Sequence, residues 1–599
     1  MKVSDYVMNF LHREGTGHVF TVSGGGIMHL LDSLGRHPHL RYICNYHEQA
    51  SAIASENYSR IRGALGACLV TTGPGSTNAL SGVAGAWVDS IPLIVISGQV
   101  RRDLIANYAN VRQLGPQEIN IDDMARPITK YLSTVMDPTR IRYELEKAVS
   151  IARQGRPGPV WINLPLDGQG ATIDESTLTA FEGSSDDTPS PRTDLATQAE
   201  QVSQLLRRSR RPVIIPGNGI RLANAHDTFG RLVEHLQIPV LTTIGSTDAI
   251  HETHPCFMGR FGPLGQRRAN FTVQNADLIL ALGASLSLST VGFNTASFAP
   301  RATKAMVNID PHEIEKARPT PDLAIVADVG QFMDAMLALP APDWGNQLAR
   351  WWQACRTWRS RYPLLSDDYF ADTDHANSYV FASALSDALG PEDAVVTGNS
   401  LDWWSVYQAF KVQKGQRVFT NVNFGAMGWD IPAAIGACIG RDGRRTILVT
   451  GDGTFQFNIH ELQTIAQNRL PIKIFVLNNE GYTSIRSMQE THFDGRLVGA
   501  DATSGVSNPS FRAIATAYAL RYAFIRNNAE LASTIQSVLE GPDPVLCEIN
   551  VAPAQGRSPR VMSRKREDGT MESGTLENMY PFLPADEISR NMQMFEAEE

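Results

Sequence analysis

Thr446-Ile447-Leu448-Val449-Thr450-Gly451-Asp452-Gly453-Thr454 and, one segment later, Ile472-Lys473-Ile474-Phe475-Val476-Leu477-Asn478-Asn479-Glu480-Gly481-Tyr482-Thr483 decide how this chain reads. Each opens as an apolar, largely β-branched run, as a buried strand does. Each closes in glycines, an acid or amides. Gly451 and Gly453 let the backbone turn sharply and bring N–H groups close to an anion. Between the runs, Phe457 to Gln467 has helical spacing. The unit is strand–helix–strand, and open α/β sheets place their ligands beyond the carboxyl ends of such strands. Asp452 and Asn479 are therefore expected side by side at one sheet edge.

A carboxylate, an amide oxygen and a nearby backbone carbonyl are hard oxygen ligands. With diphosphate oxygens and water they meet the octahedral demand of magnesium. Either half alone reads equally well as a strand-end turn or an Asx turn. Both halves separated by one βαβ unit favour a site.

Gly451-Asp452-Gly453 followed by Asn478-Asn479 resembles the diphosphate–magnesium motif of thiamine diphosphate enzymes, and Asn479 stands 27 positions after Asp452. The resemblance implies thiamine diphosphate and Mg2+ as cofactors. It assigns Asp452, Asn479 and the carbonyl of Gly481 to the metal. It puts Gly453, Thr454, Tyr482 and Thr483 beside the cofactor.

Composition is consistent with such an enzyme. The 599 residues exceed one core, and length alone suggests roughly four units. A net charge of −9 is mild at this size and argues against nucleic acid or an anionic membrane as partner. Six dispersed cysteines without CxxC indicate neither a zinc site nor a disulfide framework, and a cytoplasmic location is expected. Met1 to Val7 lacks a signal-peptide pattern, and the apolar runs are too short to span a membrane.

Residues 1–170 alternate helices and strands. Ser23-Gly24-Gly25-Gly26 invites a dinucleotide reading, but position 29 is His, so a tight turn is expected. His47-Glu48-Gln49 precedes an Ala-containing helix. The plain account of Glu48 is a carboxylate at a helix N-terminus. In the family a Glu at this point hydrogen-bonds the pyrimidine nitrogen and relays a proton, which makes Glu48 a catalytic and cofactor-binding candidate. Thr72-Gly73-Pro74-Gly75-Ser76-Thr77-Asn78 is similar to the family's Gly-Pro-Gly-Ala-Thr-Asn turn, adding Thr72, Gly73 and Asn78. Gln117-Glu118 and Lys130 fall where acetohydroxyacid synthases keep Gln-Glu and Lys near substrate, so Gln117 is a catalytic candidate. Those enzymes carry Phe before that Gln; here it is Pro116.

A Ser-, Thr-, Asp- and Pro-rich stretch to about 193 reads as a linker. Residues 196–335 form a second α/β unit. Gly217-Asn218-Gly219 is half a dinucleotide fingerprint, with Leu at 222. Asp310 and Asp328 follow strands as they do where related synthases bind FAD. The Gly-x-Arg-Phe segment of those flavin sites is Gly283-Ala284-Ser285-Leu286 here. FAD and a purely architectural role stay equal alternatives. Trp351, Trp352 and Trp358 mark a packing helix expected to bridge domains.

The third domain is placed at 365–551. Gly398-Asn399 ends a strand. Asn423-Phe424-Gly425-Ala426-Met427-Gly428 resembles the turn whose backbone grips the pyrimidine, which assigns Gly398, Asn399, Gly425 and Met427 to the cofactor. Met427 is the candidate wedge that bends it; a core methionine is the plain alternative. Residues 552–599 form a tail expected over the surface near the active-site mouth.

The resemblance covers residues 1 to about 550 and is closest to the acetohydroxyacid (acetolactate) synthase branch. It implies an α/β fold of three doubly wound parallel-sheet domains: pyrimidine-binding, central and diphosphate-binding. It also implies a homodimer or homotetramer with sites at the subunit interface. The expected reaction decarboxylates a 2-keto acid, pyruvate first. The acetyl unit then passes to a carbonyl acceptor, either a 2-keto acid or a ketone or keto-sugar. Alternatives are a non-ligating 2-keto acid decarboxylase and a flavin-dependent redox protein. Pyruvate decarboxylases carry Glu four residues after the metal-binding Gly. Here that residue is Ile485, which cannot donate a proton. Arg486 is read either as a clamp for a carboxylate or phosphate or as a surface ion pair.

Overall fold

The computed structural model describes residues 1–183, 194–421, 423–565 and 570–595; residues 184–193 of the expected linker and 566–569 and 596–599 of the tail lie outside them. The chain builds three six-stranded sheets, each wholly parallel. Strands β1 (His18–Thr21), β2 (Arg41–Cys44), β3 (Gly66–Val70), β4 (Leu93–Gln99), β5 (Tyr131–Thr134) and β6 (Val160–Pro165) form the first, in the order β2-β1-β3-β4-β6-β5. Strands β7 (Pro212–Pro216), β8 (Val240–Thr242), β9 (Phe257–Arg260), β10 (Leu278–Leu282), β11 (Thr303–Asn308) and β12 (Leu323–Val326) form the second, ordered β12-β11-β10-β7-β8-β9. Strands β13 (Ala394–Thr397), β14 (Arg417–Phe419), β15 (Thr446–Gly451), β16 (Ile472–Asn478), β17 (Arg521–Ile525) and β18 (Val545–Asn550) form the third, ordered β14-β13-β15-β16-β18-β17.

The apolar runs become strands because helices cover both faces. In the third sheet, Val395, Ile447 and Val449 enter one core while Val396 and Leu448 enter the other, the period-2 alternation of a strand buried on both sides. Strand order reverses between β1 and β3, between β7 and β10, and between β13 and β15. Ligands of doubly wound sheets bind at such switch points. Asp452 follows β15 at one of them.

The first and third domains meet along two helices, Glu48–Arg62 and Asp430–Gly440. Glycine permits the close crossing: a Cβ on Gly436 would lie 2.1 Å from the Ala54 carbonyl oxygen.

One expectation changes here, and another gains its detail. The helix Ala349–Arg361 does not bridge domains. Trp351 and Trp358 are buried in one core of the central sheet, and the Trp351 indole donates to the Pro212 carbonyl at 3.1 Å. The tail leaves the third domain beside the Asn479–Gly481 loop, where Arg486 donates to the Pro553 carbonyl and Arg557 lies over the Trp404 ring. It runs back over the central domain, where Leu576 and Phe595 are buried in that same core. Arg267 donates to the Pro581 carbonyl, Asn270 to that of Leu576, and the Trp358 indole to Asn591. Each fully buried apolar side chain contributes roughly 1.5–3 kcal/mol, enough to hold the tail as a strap on that surface.

All six cysteines are free. Among the described residues no helix is long and apolar enough to cross a membrane.

Candidate active site

At the third switch point, β15 and β16 pair from Thr446↔Ile472 to Gly451↔Leu477, so the two strands end together. Asp452 is 2% exposed. Its Oδ2 accepts the backbone N–H of Gly481 at 2.9 Å, that of Asn479 at 3.2 Å and the Asn508 amide at 2.7 Å. Burial pushes its carboxyl up to about 6 despite these donors. Beside it, the buried Oδ1 of Asn479 has no hydrogen-bond partner, while its Nδ2 donates to Thr483. A desolvated carboxylate next to an unpartnered amide oxygen is what a hard cation corrects. No group of three His, Cys, Asp or Glu suited to a metal exists among the described residues. A site of one carboxylate, one amide oxygen and one backbone carbonyl is outside that class.

The glycines here are required by space. A Cβ on Gly453 would sit 2.2 Å from the Tyr482 ring, and one on Gly481, whose φ is +135°, 2.3 Å from the Ala500 carbonyl oxygen. The Tyr482 N–H donates to that same carbonyl, and Thr483 opens the helix Thr483–His492. The intervening helix is less regular than its spacing predicts: Gln456–Glu461 is a 3-10 segment kinked at Asn458.

Across the switch point, Gly398 follows β13 and has no room for a side chain, because Asp402 Oδ2 would lie 1.9 Å from its Cβ. Asn399 donates to the Ala426 carbonyl at 2.7 Å, and its own Oδ1 is buried without a partner. Gly425 and Gly428 take φ of +69° and +79°, bracketing Met427. The Gly428 N–H donates to Thr454 Oγ1 at 2.8 Å, which ties the Met427 turn to the Gly451–Thr454 turn. Gly398, Asn399, Gly425, Met427, Asp452, Gly453, Thr454, Asn479, Gly481, Tyr482 and Thr483 thus share one sheet edge.

A second group assembles in the first domain. Glu48 begins its helix, His47 caps that helix through Nδ1, and Glu48 Oε2 accepts the Asn78 amide at 3.0 Å. Gly75 faces Glu48 Oε1, where a Cβ would be 3.2 Å away. Thr72 Oγ1 is buried without a partner. Gly73 takes φ +66°, and its Cβ would lie 1.9 Å from the Gln117 carbonyl oxygen. Gln117 itself is exposed with φ +63°, a conformation non-glycine residues rarely hold without reason.

Among the described residues no hydrogen bond links Glu48 to the Asp452 group. Glu48 hydrogen-bonds inside the first domain and Asp452 inside the third. Asn45 and Tyr46 do reach the third domain, both donating to Glu461.

Lys130 is corrected. It donates to the Ile151 and Gln154 carbonyls, capping the C-terminus of the helix Ile141–Arg153. Glu118 turns inward to take the Leu114 and Gly115 N–H groups. Of the two readings of Arg486 the ion pair stands, with Asp501 at 3.7 Å, but it is largely buried and not on the surface. The residue is 9% exposed and donates to the Pro553 and Glu480 carbonyls, so it staples the Asn479–Gly481 loop to the following chain. Asn508 was missed; its only sequence signal is a polar turn before Pro509.

A cavity of about 950 Å3 opens at the switch point of the central sheet and is walled also by residues of the first and third domains, Asp89 and Asn423 among them. Gly217, Gly219, Gly283 and Asp310 line it, and Arg156 pairs there with Asp310 and Glu313.

Three family models match: "Thiamine pyrophosphate enzyme, N-terminal TPP binding domain" over residues 1–125, the central domain over 199–336, and the "C-terminal TPP binding domain" over 397–549. The chain belongs to the thiamine pyrophosphate enzyme family. Within that family it is similar to the acetolactate synthase large subunit of Pyropia yezoensis, 31% identical over 93% of both chains. The Porphyra purpurea large subunit is likewise 31% identical, over 96% of this chain and 97% of its own. Acetolactate synthase isozyme 2 large subunit of Escherichia coli is 30% identical over 92% and 96%. This thiamine pyrophosphate enzyme is therefore of the acetolactate synthase-like branch, with the three-sheet architecture expected of it.

Proposed function

We propose that the chain is a thiamine diphosphate- and Mg2+-dependent carboligase. It decarboxylates pyruvate and transfers the acetyl unit to a carbonyl acceptor, either a second 2-keto acid or a ketone or keto-sugar. The observation that carries the cofactor assignment is the buried Asp452 carboxylate beside the unpartnered Asn479 Oδ1. Those two oxygens and the Gly481 carbonyl would hold Mg2+, with diphosphate oxygens and water completing six positions. Bound thiamine diphosphate supplies the electron sink for loss of carbon dioxide.

The chain's own residues do the rest. Glu48, oriented by the Asn78 amide, holds and moves a proton at Oε1. Met427, fixed between Gly425 and Gly428, is the wedge under the pyrimidine. Gln117 borders the substrate from its turn beside Gly73. Ile485 offers no proton where a decarboxylase needs one, which favours carbon–carbon bond formation. Glu48 and Asp452 bond within separate domains, so a dimer or tetramer joining the first domain of one protomer to the third of its partner completes the site.

The relatives' name, acetolactate synthase, supports the keto-acid acceptor; Pro116 in place of Phe supports the ketone. Labelled pyruvate, supplied alone and then with ketone or keto-sugar acceptors, tests this by product mass. Acetaldehyde as the sole product under every condition would replace carboligation with simple decarboxylation.

FAD is proposed for the central cavity, on its volume and its place at a switch point. The absorbance spectrum of the purified protein checks it. A flavin spectrum bleaching during turnover with donor would favour the redox reading.

A further inference from the structure

Three side chains of the first domain reach into the third and close on both flanks of the turn that carries Met427. Asp89 stands at the C-terminal cap of the helix Pro74–Val88 and is 8% exposed. Its Oδ2 accepts the Asn421 amide at 2.9 Å and the Arg60 guanidinium at 2.7 Å; its Oδ1 accepts the Asn423 amide at 3.2 Å. Arg60 also donates to Glu56 Oε1, and Glu56 Oε2 accepts the Trp429 indole N–H at 3.0 Å. The Arg60 guanidinium lies over the Phe419 and Trp429 rings. Asn421 and Asn423 precede the turn and Trp429 follows it. The Gly425 N–H returns to the Asn421 carbonyl at 2.8 Å. Glu56, Arg60, Asp89, Asn421 and Trp429 are buried while Asn423 is exposed, so the bonds among the buried members are charge-assisted and directional.

A network serving only domain adhesion had an easier solution, since the helices Glu48–Arg62 and Asp430–Gly440 already pack closely through small residues. Asp89 instead accepts amides at the root of one turn, and Glu56 accepts the indole N–H that follows it. We propose that Asp89 is a positioning residue for the Met427 wedge, setting its height through Asn421 and Asn423. This rests on the reading of Met427 as the wedge under the pyrimidine. Asp89, Arg60 and Asn423 also line the central cavity, and toward the Met427 site Asp89 acts through the turn.

The test uses the full-length protein with thiamine diphosphate, Mg2+ and pyruvate. Asp89→Asn keeps the shape and removes the charge; Asn423→Ala alters an exposed residue and leaves the core whole. Both variants are expected to bind thiamine diphosphate and Mg2+ within a few-fold of wild type by calorimetry, because neither substitution removes an oxygen of Asp452, Asn479 or Gly481. Their kcat falls roughly 10–100-fold with the KM for pyruvate unchanged, the scale of a sub-ångström to 1 Å misplacement. The near-ultraviolet circular dichroism of the bound cofactor, which reports how its two rings face, changes in parallel. The double variant is no worse than Asp89→Asn alone, since both changes break one contact. Wild-type kcat and dichroism in both single variants would overturn the proposal; if Asp89→Asn does not fold, Asn423→Ala alone decides. Met427→Ala separates this from the reading beneath it. Lost turnover and dichroism there, with both kept in Asn423→Ala, would leave the wedge and remove its anchor. Wild-type behaviour of Met427→Ala would remove wedge and anchor together.

Discussion

Asp452 Oδ2 takes the backbone N–H of Gly481 at 2.9 Å, so the acid after β15 holds the loop after β16. The bond presets the loop whose Gly481 carbonyl and Asn479 Oδ1 are the proposed cation ligands. Asn508 donates to the same oxygen from outside the unit. Loss of such an outer partner costs about 10–100-fold in metal affinity. Asn508→Ala is expected to weaken Mg2+–thiamine diphosphate binding by that factor, and Asp452→Ala by more, both read by calorimetry. Undiminished activity after exhaustive chelation and dialysis would contradict the assignment.

Glu48→Gln keeps an acceptor for the Asn78 amide and removes the titrating proton. It is expected to bind thiamine diphosphate normally and to lose roughly 10²–10⁴-fold in turnover. Steady-state rates beside a binding isotherm separate the two effects. Near-normal turnover would leave Glu48 as a helix N-terminal carboxylate only.

Ile485 lies in the first turn of the helix Thr483–His492 and is 36% exposed, so a longer polar side chain fits. Ile485→Glu supplies a proton donor and is expected to raise the acetaldehyde fraction among products from labelled pyruvate. An unchanged product ratio would show that this position does not govern the choice.

Asp402 is buried beneath the Gly398 turn beside Asp430, and burial followed by the Asp430 charge pushes its carboxyl up from 3.8 to about 7. The folded state therefore keeps a proton the unfolded chain has released. Below 3.8 both states are protonated and nothing is lost; as pH rises towards about 7 the folded state is progressively destabilised. Asp402→Asn removes this titration. Its melting temperature is expected to decline less than that of wild type across the same window.

Arg486→Lys leaves the charge and loses the planar fork that serves the Pro553 and Glu480 carbonyls together. Lower thermal stability and weaker Mg2+ binding are expected. Wild-type values in both would reduce the staple to a packing contact.

The sequence by itself determined the strand ends. β-branched runs closing in Gly-Asp-Gly and Asn-Asn-Glu-Gly read correctly because strand burial and turn chemistry are local: a few neighbours decide φ, ψ and where the chain can approach a ligand. The three parallel sheets follow from the same alternation of runs and helices. The tertiary structure alone decided which long side chains face the site. Lys130 and Arg486 carry charge that local reading offers to a ligand, yet Lys130 ends on carbonyls at a helix C-terminus and Arg486 on loop carbonyls and Asp501. A guanidinium or ammonium is satisfied by whichever acceptors the fold brings near, and those lie up to 67 positions away along the chain. The same holds for the tail. Its Leu576 and Phe595 find a core more than 200 positions earlier, and for Asp89 the Asn421 partner is separated by 332. Burial depends on the whole chain's arrangement in space, which no local spacing encodes.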